Sequence, residues 1–142
     1  MAKSSKLKIL FVAGFGPVVR DIGASDAFYL NELGLSLKKD GDYRYTAELE
    51  GAKHFALWPL SQAAQSCFGS DQWPEELPVP QGWMEFDVED VEQATQELAS
   101  RGYKLLVKTR KEPWGQVVTR LLGPEGLLLG ITYTPSMRKK SK

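Results

Sequence analysis

Few side chains in this sequence could act as a nucleophile or a general base. His54 is the only histidine and Cys67 is the only cysteine. A histidine base works on a serine or cysteine held within hydrogen-bond reach, and no motif of that kind surrounds His54. Cys67 has no basic neighbour in the sequence that would favour its thiolate. We therefore expect a structural or surface role for His54 and a buried, inert thiol for Cys67.

A second group of candidates lies on a predicted strand over residues 82–88. Because side chains alternate along a strand, Trp83 and Glu85 share one face. The carboxylate of Glu85 could meet a cationic group on a ligand, could pair with Arg120 or Arg44 from neighbouring strands, or could simply be solvated. The indole of Trp83 could stack on a ligand or fill the core. The sequence leaves these alternatives open.

Hydrophobic periodicity predicts the elements that position these side chains. In the first half we expect an edge strand with a bulge over residues 7–19. An amphipathic helix should run from an N-cap at Ser25 to a stop at Gly34. Residues 60–68 suit a helical turn or two. Between them lie three short strands separated by hairpin-type turns, at 35–39, 43–49 and 53–58.

The second half repeats the order strand, helix and three strands. Asp21 and Asp90, 69 residues apart (90 − 21), mark equivalent helix entries. Turns at Gly51 and Gly126 mark equivalent last hairpins. The prediction is an α+β protein of two βαβββ repeats, whose curved mixed sheets surround a concave cleft. The elements expected in this half are a strand at 82–88, a helix at 90–101 and strands at 103–108, 115–122 and 127–133.

The repeats define the domain organisation. Residues 7–60 form the first module, 61–81 a linker that contains several prolines, and 82–134 the second module. The two modules together should make one compact domain. Basic residues cluster near the ends, and we expect residues 1–6 and 135–142 to be solvated tails.

The charge balance and the cysteine count exclude several classes of protein. The 142 residues carry 18 basic and 18 acidic side chains, so no overall field attracts nucleic acid or an anionic membrane. No uninterrupted apolar run reaches the roughly 18 residues that a membrane span needs. A single cysteine cannot form an intrachain disulfide, which fits a reducing cytoplasm.

Three stretches of the sequence carry a family resemblance. They read VVRDIGASDAFYLNELGL, FDVEDVEQATQELASRGY and PWGQVVTRLLGPEGLLLGI. Together with the repeat, they resemble the vicinal oxygen chelate superfamily, which includes glyoxalase I, extradiol dioxygenases, fosfomycin-modifying enzymes and bleomycin-resistance proteins. The resemblance extends over about residues 7–134. It identifies the fold better than the activity, because one scaffold of this kind hosts many functions.

The resemblance also locates the positions at which a metal would be bound. Enzymes of this superfamily place His or Glu on the first and last strand of each repeat. Matched by register, these four positions hold Gly14, Phe55, Trp83 and Gly130. None of these side chains offers an imidazole, carboxylate or thiolate to a divalent cation. His54 is adjacent to Phe55, but a shift of one residue along a strand points to the opposite face. We therefore expect neither a metal nor another cofactor.

Aromatic and small residues stand where the metal ligands would be. Trp83, Phe55 and the Trp114 of the Pro-Trp-Gly turn are expected to face or rim the cleft, and the two glycines remove bulk from its floor. In the bleomycin-resistance proteins, which this chain resembles in that turn, the corresponding Trp helps to hold the antibiotic. The residues that we expect to contact a ligand are Phe55, Trp83, Glu85, Trp114 and Gly130.

The sequence thus favours a non-catalytic protein that binds an aromatic or cationic small molecule in the cleft. Two alternatives stay open. One is a metal-dependent lyase or dioxygenase with a displaced site at His54, Glu85 or Glu48, and the other is an accessory domain with a vestigial cleft that contacts proteins. We also expect a homodimer, because βαβββ units pair within one chain or between two, and either arrangement buries sheet edges.

Overall fold

A computed structural model describes residues 7–138 of the chain. No helix among them is long and apolar enough to cross a membrane. The strands are β1 Ile9–Val19, β2 Lys38–Asp40, β3 Tyr43–Thr46, β4 Phe55–Pro59, β5 Gly82–Val88, β6 Val107–Lys111, β7 Val117–Leu122 and β8 Leu128–Tyr133. The helices are α1 Ile22–Ser25, continued by a π-helix over Asp26–Glu32, then α2 Leu60–Phe68 and α3 Val91–Ser100, and a 3₁₀ turn covers Pro135–Met137.

The described strands form one mixed sheet of eight, in the order β2-β3-β4-β1-β5-β8-β7-β6. The first and last strands of each half are parallel neighbours, β1 with β4 and β5 with β8. The halves join through the antiparallel pair β1 and β5 at the centre. The predicted α+β class and the two βαβββ repeats are therefore confirmed, and the two curved sheets of the prediction are halves of a single sheet.

Strand β1 is central, so the prediction of an edge strand is wrong. Its bulges are real, because the register with β5 shifts between Ile9 and Phe11 and between Val12 and Gly14. Pro17 has no backbone N–H to donate to the sheet. It pairs with Gly82, the first residue of β5, and proline is tolerated at such a strand end. A breaker at the end of a strand therefore does not exclude a central position.

The first helix begins earlier than predicted. Asp21, rather than Ser25, is the N-cap, and its Oδ1 accepts a hydrogen bond of 3.1 Å from the backbone N–H of Ala24. The Ser25 side chain makes no capping bond. The helix then widens into the π-helical segment and ends before Gly34, as the sequence predicts. Neither part of this helix contains a buried residue.

Helix α3 covers the second half of the sheet. Asp90 is its N-cap, and Oδ1 accepts a 3.0 Å hydrogen bond from the backbone N–H of Gln93. Its apolar residues recur on one face and are buried, as expected for an amphipathic helix. One core cluster of the protein contains Val88, Val91, Ala94, Leu98, Leu121 and Ile131.

Helix α2 packs in the second core cluster. It also occupies part of the segment that the sequence analysis assigned to the linker. Residues 61–68, assigned to that linker from the sequence, belong to a nine-residue helix that is packed on the sheet. Ala63 and Cys67 are buried there against Val18, Ala56 and Trp83. The prediction that the Cys67 thiol is buried is confirmed. The connection between the halves is thus part of the core.

The C-terminal tail is ordered as far as the structure describes it. After the 3₁₀ turn, the Arg138 guanidinium donates hydrogen bonds to the Asp87 carboxylate and to the carbonyl oxygen of Val88. Asp87 is completely buried and also accepts a bond from the backbone N–H of Thr134. Residues 135–138 are therefore not a solvated tail. The predicted tails at 1–6 and 139–142 lie outside the described residues.

Candidate functional site

A cavity of about 570 Å³ lies over the central strands. Aromatic side chains make up much of its wall, and its polar lining includes an ion pair and two amides. The C-terminal 3₁₀ turn closes one side. The lining residues are Asp40, Tyr43, Tyr45, His54, Trp58, Gln62, Trp83, Glu85, Trp114, Gln116, Arg120, Thr134, Pro135, Ser136 and Met137.

The register of the sheet aligns a row of residues beneath this cavity. Gly14 on β1 pairs with Glu85 on β5, and Glu85 pairs with Gly130 on β8. Gly130 pairs in turn with Arg120 on β7. Charged side chains therefore alternate with glycines across four adjacent strands. The glycines leave room in which the neighbouring long side chains can lie flat.

The register on the other side of β1 corrects one prediction. Phe15 pairs with Phe55 in the parallel β1–β4 ladder, so His54 is level with Gly14. Side-chain alternation puts His54 and Trp58 on the cavity face and Phe55 on the opposite face. There Phe55 makes an edge-on contact with the Phe15 ring, with centroids 5.5 Å apart. The expectation that Phe55 faces the cleft, with His54 turned away, is wrong.

A second correction concerns Trp83. The residue level with Gly14 and Gly130 on β5 is Glu85, two positions further along the strand. The row level with the two glycines therefore contains His54 and Glu85, where the sequence analysis placed Phe55 and Trp83. Sequence reasoning placed Phe55 and Trp83 there because it counted along each strand from a separate motif or from the repeat, without the pairing between the strands.

Trp83 fills the space that Gly14 leaves. A Cβ on Gly14 would lie 2.9 Å from Cη2 of Trp83, which is closer than carbon atoms can approach without displacement. The indole is 4% exposed and its Nε1 donates a 3.1 Å hydrogen bond to the carbonyl oxygen of Ala56. Trp83 also packs edge-on against Trp58. It is thus a core residue whose edge forms part of the cavity wall.

An ion pair fills the space above Gly130. Arg120 Nη1 lies 2.9 Å from Glu85 Oε2. A Cβ on Gly130 would lie 2.8 Å from Cγ of Glu85 and 3.2 Å from Nη1 of Arg120, so the absence of a side chain permits this geometry. The pairing with Arg120 was one of the alternatives that the sequence allowed for Glu85.

Arg120 is only 1% exposed, and several neighbouring side chains contact its guanidinium. Its Nε donates a 3.1 Å hydrogen bond to Ser66 Oγ, and Ser66 donates to Glu112 Oε2 at 2.9 Å. The guanidinium carbon lies 4.7 Å from the centroid of the Trp58 ring, in cation–π geometry. A buried charge is tolerated when it is paired and hydrogen-bonded, as it is here.

Gln116 connects the ion pair to the rim of the cavity. Its Nε2 donates 2.9 Å hydrogen bonds to Glu85 Oε1 and to Thr132 Oγ1, and its Oε1 accepts one from Trp114 Nε1. Trp114 itself is 69% exposed. A large aromatic side chain is therefore oriented at the cavity mouth by one hydrogen bond while most of its surface faces solvent.

Three rings on neighbouring strands make a nearly parallel stack. The ring planes of Tyr43 and Tyr45 differ by 24°, and those of Tyr45 and His54 by 18°. The Tyr43 hydroxyl lies 2.7 Å from His54 Nε2. Burial, reinforced by the negative charge of Glu85, raises the pKa of Tyr43, and burial lowers the pKa of His54. Both shifts favour the uncharged forms of Tyr43 and His54.

The residues present do not suit a divalent metal ion. Within residues 7–138, no three side chains of His, Cys, Asp or Glu come together. His54 and Glu85 both line the cavity, and the Glu85 carboxylate is already neutralised by Arg120. Glu48 does not line the cavity. The Cys67 thiol is in the core, where burial raises its pKa to about 11.

The structure thus brings together four of the residues that the sequence singled out: Trp83, Glu85, Trp114 and Gly130. Sequence reasoning missed the wall formed by Tyr43, Tyr45 and Trp58, together with Gln116 and the C-terminal turn. One signal was available, because Tyr43 and Tyr45 are two positions apart on a predicted strand and so share a face. The contribution of the C-terminal turn had no signal in the sequence.

A comparison of the sequence with family models gives one match. The model described as Glyoxalase/Bleomycin resistance protein/Dioxygenase superfamily matches residues 14–131. A search among curated proteins gives no match.

Solved structures show the same fold at low sequence identity. A glyoxalase/bleomycin resistance protein/dioxygenase superfamily member from Vibrio splendidus 12B01 is 18% identical, with a TM-score of 0.56 over 91% of this chain and all of that one. An extradiol ring-cleaving dioxygenase from B. fuscum is 21% identical, with a TM-score of 0.58 over 89% of this chain and 33% of that one. A protein described as an NAD-dependent benzaldehyde dehydrogenase from Legionella pneumophila is 13% identical, with a TM-score of 0.52 over 84% of this chain and 96% of that one.

Proposed function

Because the chain belongs to the Glyoxalase/Bleomycin resistance protein/Dioxygenase superfamily, we propose that it uses the cavity of this fold to bind an aromatic small molecule without catalysis. The observation that carries the proposal is the exposed Trp114 at the mouth of an aromatic-walled cavity. The row beneath the cavity supports it, since the Glu85 carboxylate in that row is already paired with Arg120.

The cavity walls suit a planar ring. The nearly parallel rings of Tyr43, Tyr45 and His54 line one side of the cavity, and Trp114 lies at its rim. Offset or edge-on contacts between aromatic rings contribute roughly 0.5 to 1.5 kcal/mol beyond the buried area. A bound ring would also cover the part of Trp114 that now contacts solvent. The volume of the cavity is within the range of small-molecule sites.

The charge distribution limits where a cationic group on the ligand could lie. Glu85 is neutralised by Arg120, so its carboxylate does not attract a second cation. Asp40 lines the cavity, is exposed, and forms no ion pair with another residue in the described range 7–138. A positive charge on the ligand is therefore best placed near Asp40, at the edge of the site, and the aromatic part is the portion held inside.

Equilibrium dialysis with 2-methylnaphthalene and its saturated analogue 2-methyldecalin tests this proposal. We expect the planar compound to bind at least tenfold more tightly. Trp114→Ala should weaken its binding about tenfold. The matched control is Trp73→Ala, because Trp73 lies outside the cavity and bonds to the Pro78 carbonyl oxygen. Equal binding of both compounds, or an equal loss in both variants, would contradict the proposal.

The alternative of a metal-dependent lyase or dioxygenase has one observation in its favour, the level placement of His54 and Glu85. Metal analysis after reconstitution with Ni, Zn, Mn and Fe distinguishes it. We expect less than about a tenth of an equivalent per chain. If the wild-type chain binds one equivalent of metal and His54→Ala does not, metal-dependent catalysis becomes the better proposal. The accessory-domain alternative fits less well, since Trp83 leaves the cavity open.

We also propose that the protein is located in the cytoplasm, because the free, buried Cys67 suits a reducing compartment.

We propose further that the protein is a homodimer. In the described residues β4 pairs with β1 from Phe15 onward, and Ile9, Leu10 and Val12 before it are 51%, 49% and 41% exposed. A second copy would cover these side chains. Sedimentation should give a dimer at micromolar concentration, and Leu10→Lys should give a monomer. A wild-type monomer would contradict this.

A further inference from the structure

The guanidinium of Arg120 has one nitrogen that the protein does not use. Nε donates to Ser66 and Nη1 donates to Glu85, whereas Nη2 has no hydrogen-bond partner among residues 7–138. No buried side-chain nitrogen or oxygen of the described residues is unsatisfied, so Nη2 keeps contact with solvent. Arg120 is 1% exposed and lines the cavity. The little accessible surface that it has therefore includes a donor facing the binding space.

The surroundings of this donor determine which acceptor suits it. The Glu85 carboxylate is bonded to the same guanidinium, and Glu112 is one hydroxyl further away through Ser66. Arg120 is already neutralised by Glu85, and Glu112 is paired with Arg110, so a ligand carboxylate at Nη2 would add an uncompensated negative charge in a region with little water to screen it. A carbonyl oxygen accepts the same hydrogen bond without adding charge. The geometry favours a neutral acceptor.

The aromatic walls fix the direction of approach. The Arg120 guanidinium lies against the face of Trp58, and Trp58 lines the cavity beside Tyr43 and Tyr45. A planar ring between these walls would bring a substituent in its own plane towards the donor. An oxygen conjugated to the ring lies in that plane.

On this basis we propose that the cavity selects aromatic carbonyl compounds, with the carbonyl oxygen accepting a hydrogen bond from Nη2 of Arg120. The proposal rests on the binding function given above and specifies its ligand class. Arg120 then supplies, from within the chain, a fixed positive charge at the level of the sheet where His54 and Glu85 would otherwise face a metal.

Two probes of the same shape test the inference. 2-Acetylnaphthalene has a carbonyl oxygen where 2-isopropenylnaphthalene has a CH₂ group. In equilibrium dialysis with the full chain, we expect the ketone to bind about tenfold more tightly than the alkene. The anion 2-naphthoate should bind more weakly than the ketone. If neither neutral probe binds, the proposed function itself fails. If both bind equally, aromatic binding stands and the selection of carbonyl compounds is overturned.

Variants assign the preference to Arg120. Arg120→Met should remove the ketone preference, so that the ketone and the alkene bind with affinities within about twofold of each other. Because this change leaves Glu85 buried without a partner, the double variant Glu85→Gln with Arg120→Met provides a neutral pair in case the single variant does not fold. Arg44→Met is the matched control, since Arg44 is also a buried arginine, paired with Asp26 at 2.9 Å and not lining the cavity. It should keep the preference. A ketone preference that survives in the folded double variant would overturn the role of Arg120.

Discussion

The two halves of the molecule contain helices with the same local signature and different tertiary surroundings. Asp21 and Asp90 cap them in the same way, each accepting a bond from the backbone N–H three residues on. Helix α3 then buries four residues on the sheet. The first helix buries none and leaves Phe28 51% and Leu33 56% exposed.

The way each helix is attached to the sheet explains this difference. Leu98 of α3 is in a continuous apolar cluster with Val88 and Ile131. The described link between the first helix and the sheet is polar, an ion pair in which both oxygens of Asp26 accept from Arg44. Equal capping and equal apolar spacing therefore do not give equal stability, because most helix stability in proteins comes from packing of the apolar face.

The largest expected effect is on the free energy of unfolding, and it should differ between the apolar face of α3 and that of the first helix. Leu98→Ala should lower the free energy of unfolding by about 2 to 4 kcal/mol, since it opens a cavity in the core. Leu33→Ala should change it by no more than about 0.5 kcal/mol, because this side chain is largely in solvent. Urea denaturation of both variants measures the difference. Similar losses would mean that the first helix is packed more tightly in solution than its exposure implies.

A smaller effect tests the polar attachment. The bonds from Arg44 hold the pKa of Asp26 below its ordinary value. A depressed carboxylate pKa stabilises the fold above the unfolded value near 3.8, and this contribution is lost as the pH falls through the folded value. Asp26→Asn should therefore cost about 1 to 2 kcal/mol at pH 7, and the cost should shrink in acid.

Urea denaturation at pH 7 and at about pH 3 measures this dependence. Asp71→Asn is the control, because Asp71 is exposed in the loop after α2 and the structure gives it no ion pair. We expect no change for that variant at either pH. A cost for Asp26→Asn that is the same at both pH values would show that the carboxylate charge contributes nothing to the attachment.

The smallest effect compares the caps themselves. Asp90→Ala should cost about 1 kcal/mol of global stability, the usual value of an N-cap. Asp21→Ala should cost less, because the first helix can fray without exposing a core. Amide hydrogen exchange should then show faster exchange confined to residues 22–33 in Asp21→Ala. Equal global losses would indicate that the first helix unfolds together with the sheet.

The positions of the candidate site residues were predicted unevenly. Glu85, Trp83 and Trp114 reach the cavity as the sequence suggested, because alternation within one strand and the Pro-Trp-Gly turn are local features. Phe55 does not. It was placed by matching β4 to the corresponding strand of the second repeat, and the pairing of β4 with β1 differs from that match by one residue. One residue is enough to reverse the face.

By itself the sequence determined the two βαβββ repeats, the capped helices and the glycines of the row, because turns, caps and alternation depend on neighbours in the chain. Only the tertiary structure decided that Arg120 lies above Gly130 and binds Glu85, and that α3 is covered while the first helix is not. The physical reason is the same in each case. Register between distant strands and the burial of an apolar face depend on residues that are far apart in the sequence, and no local pattern specifies which of them will meet.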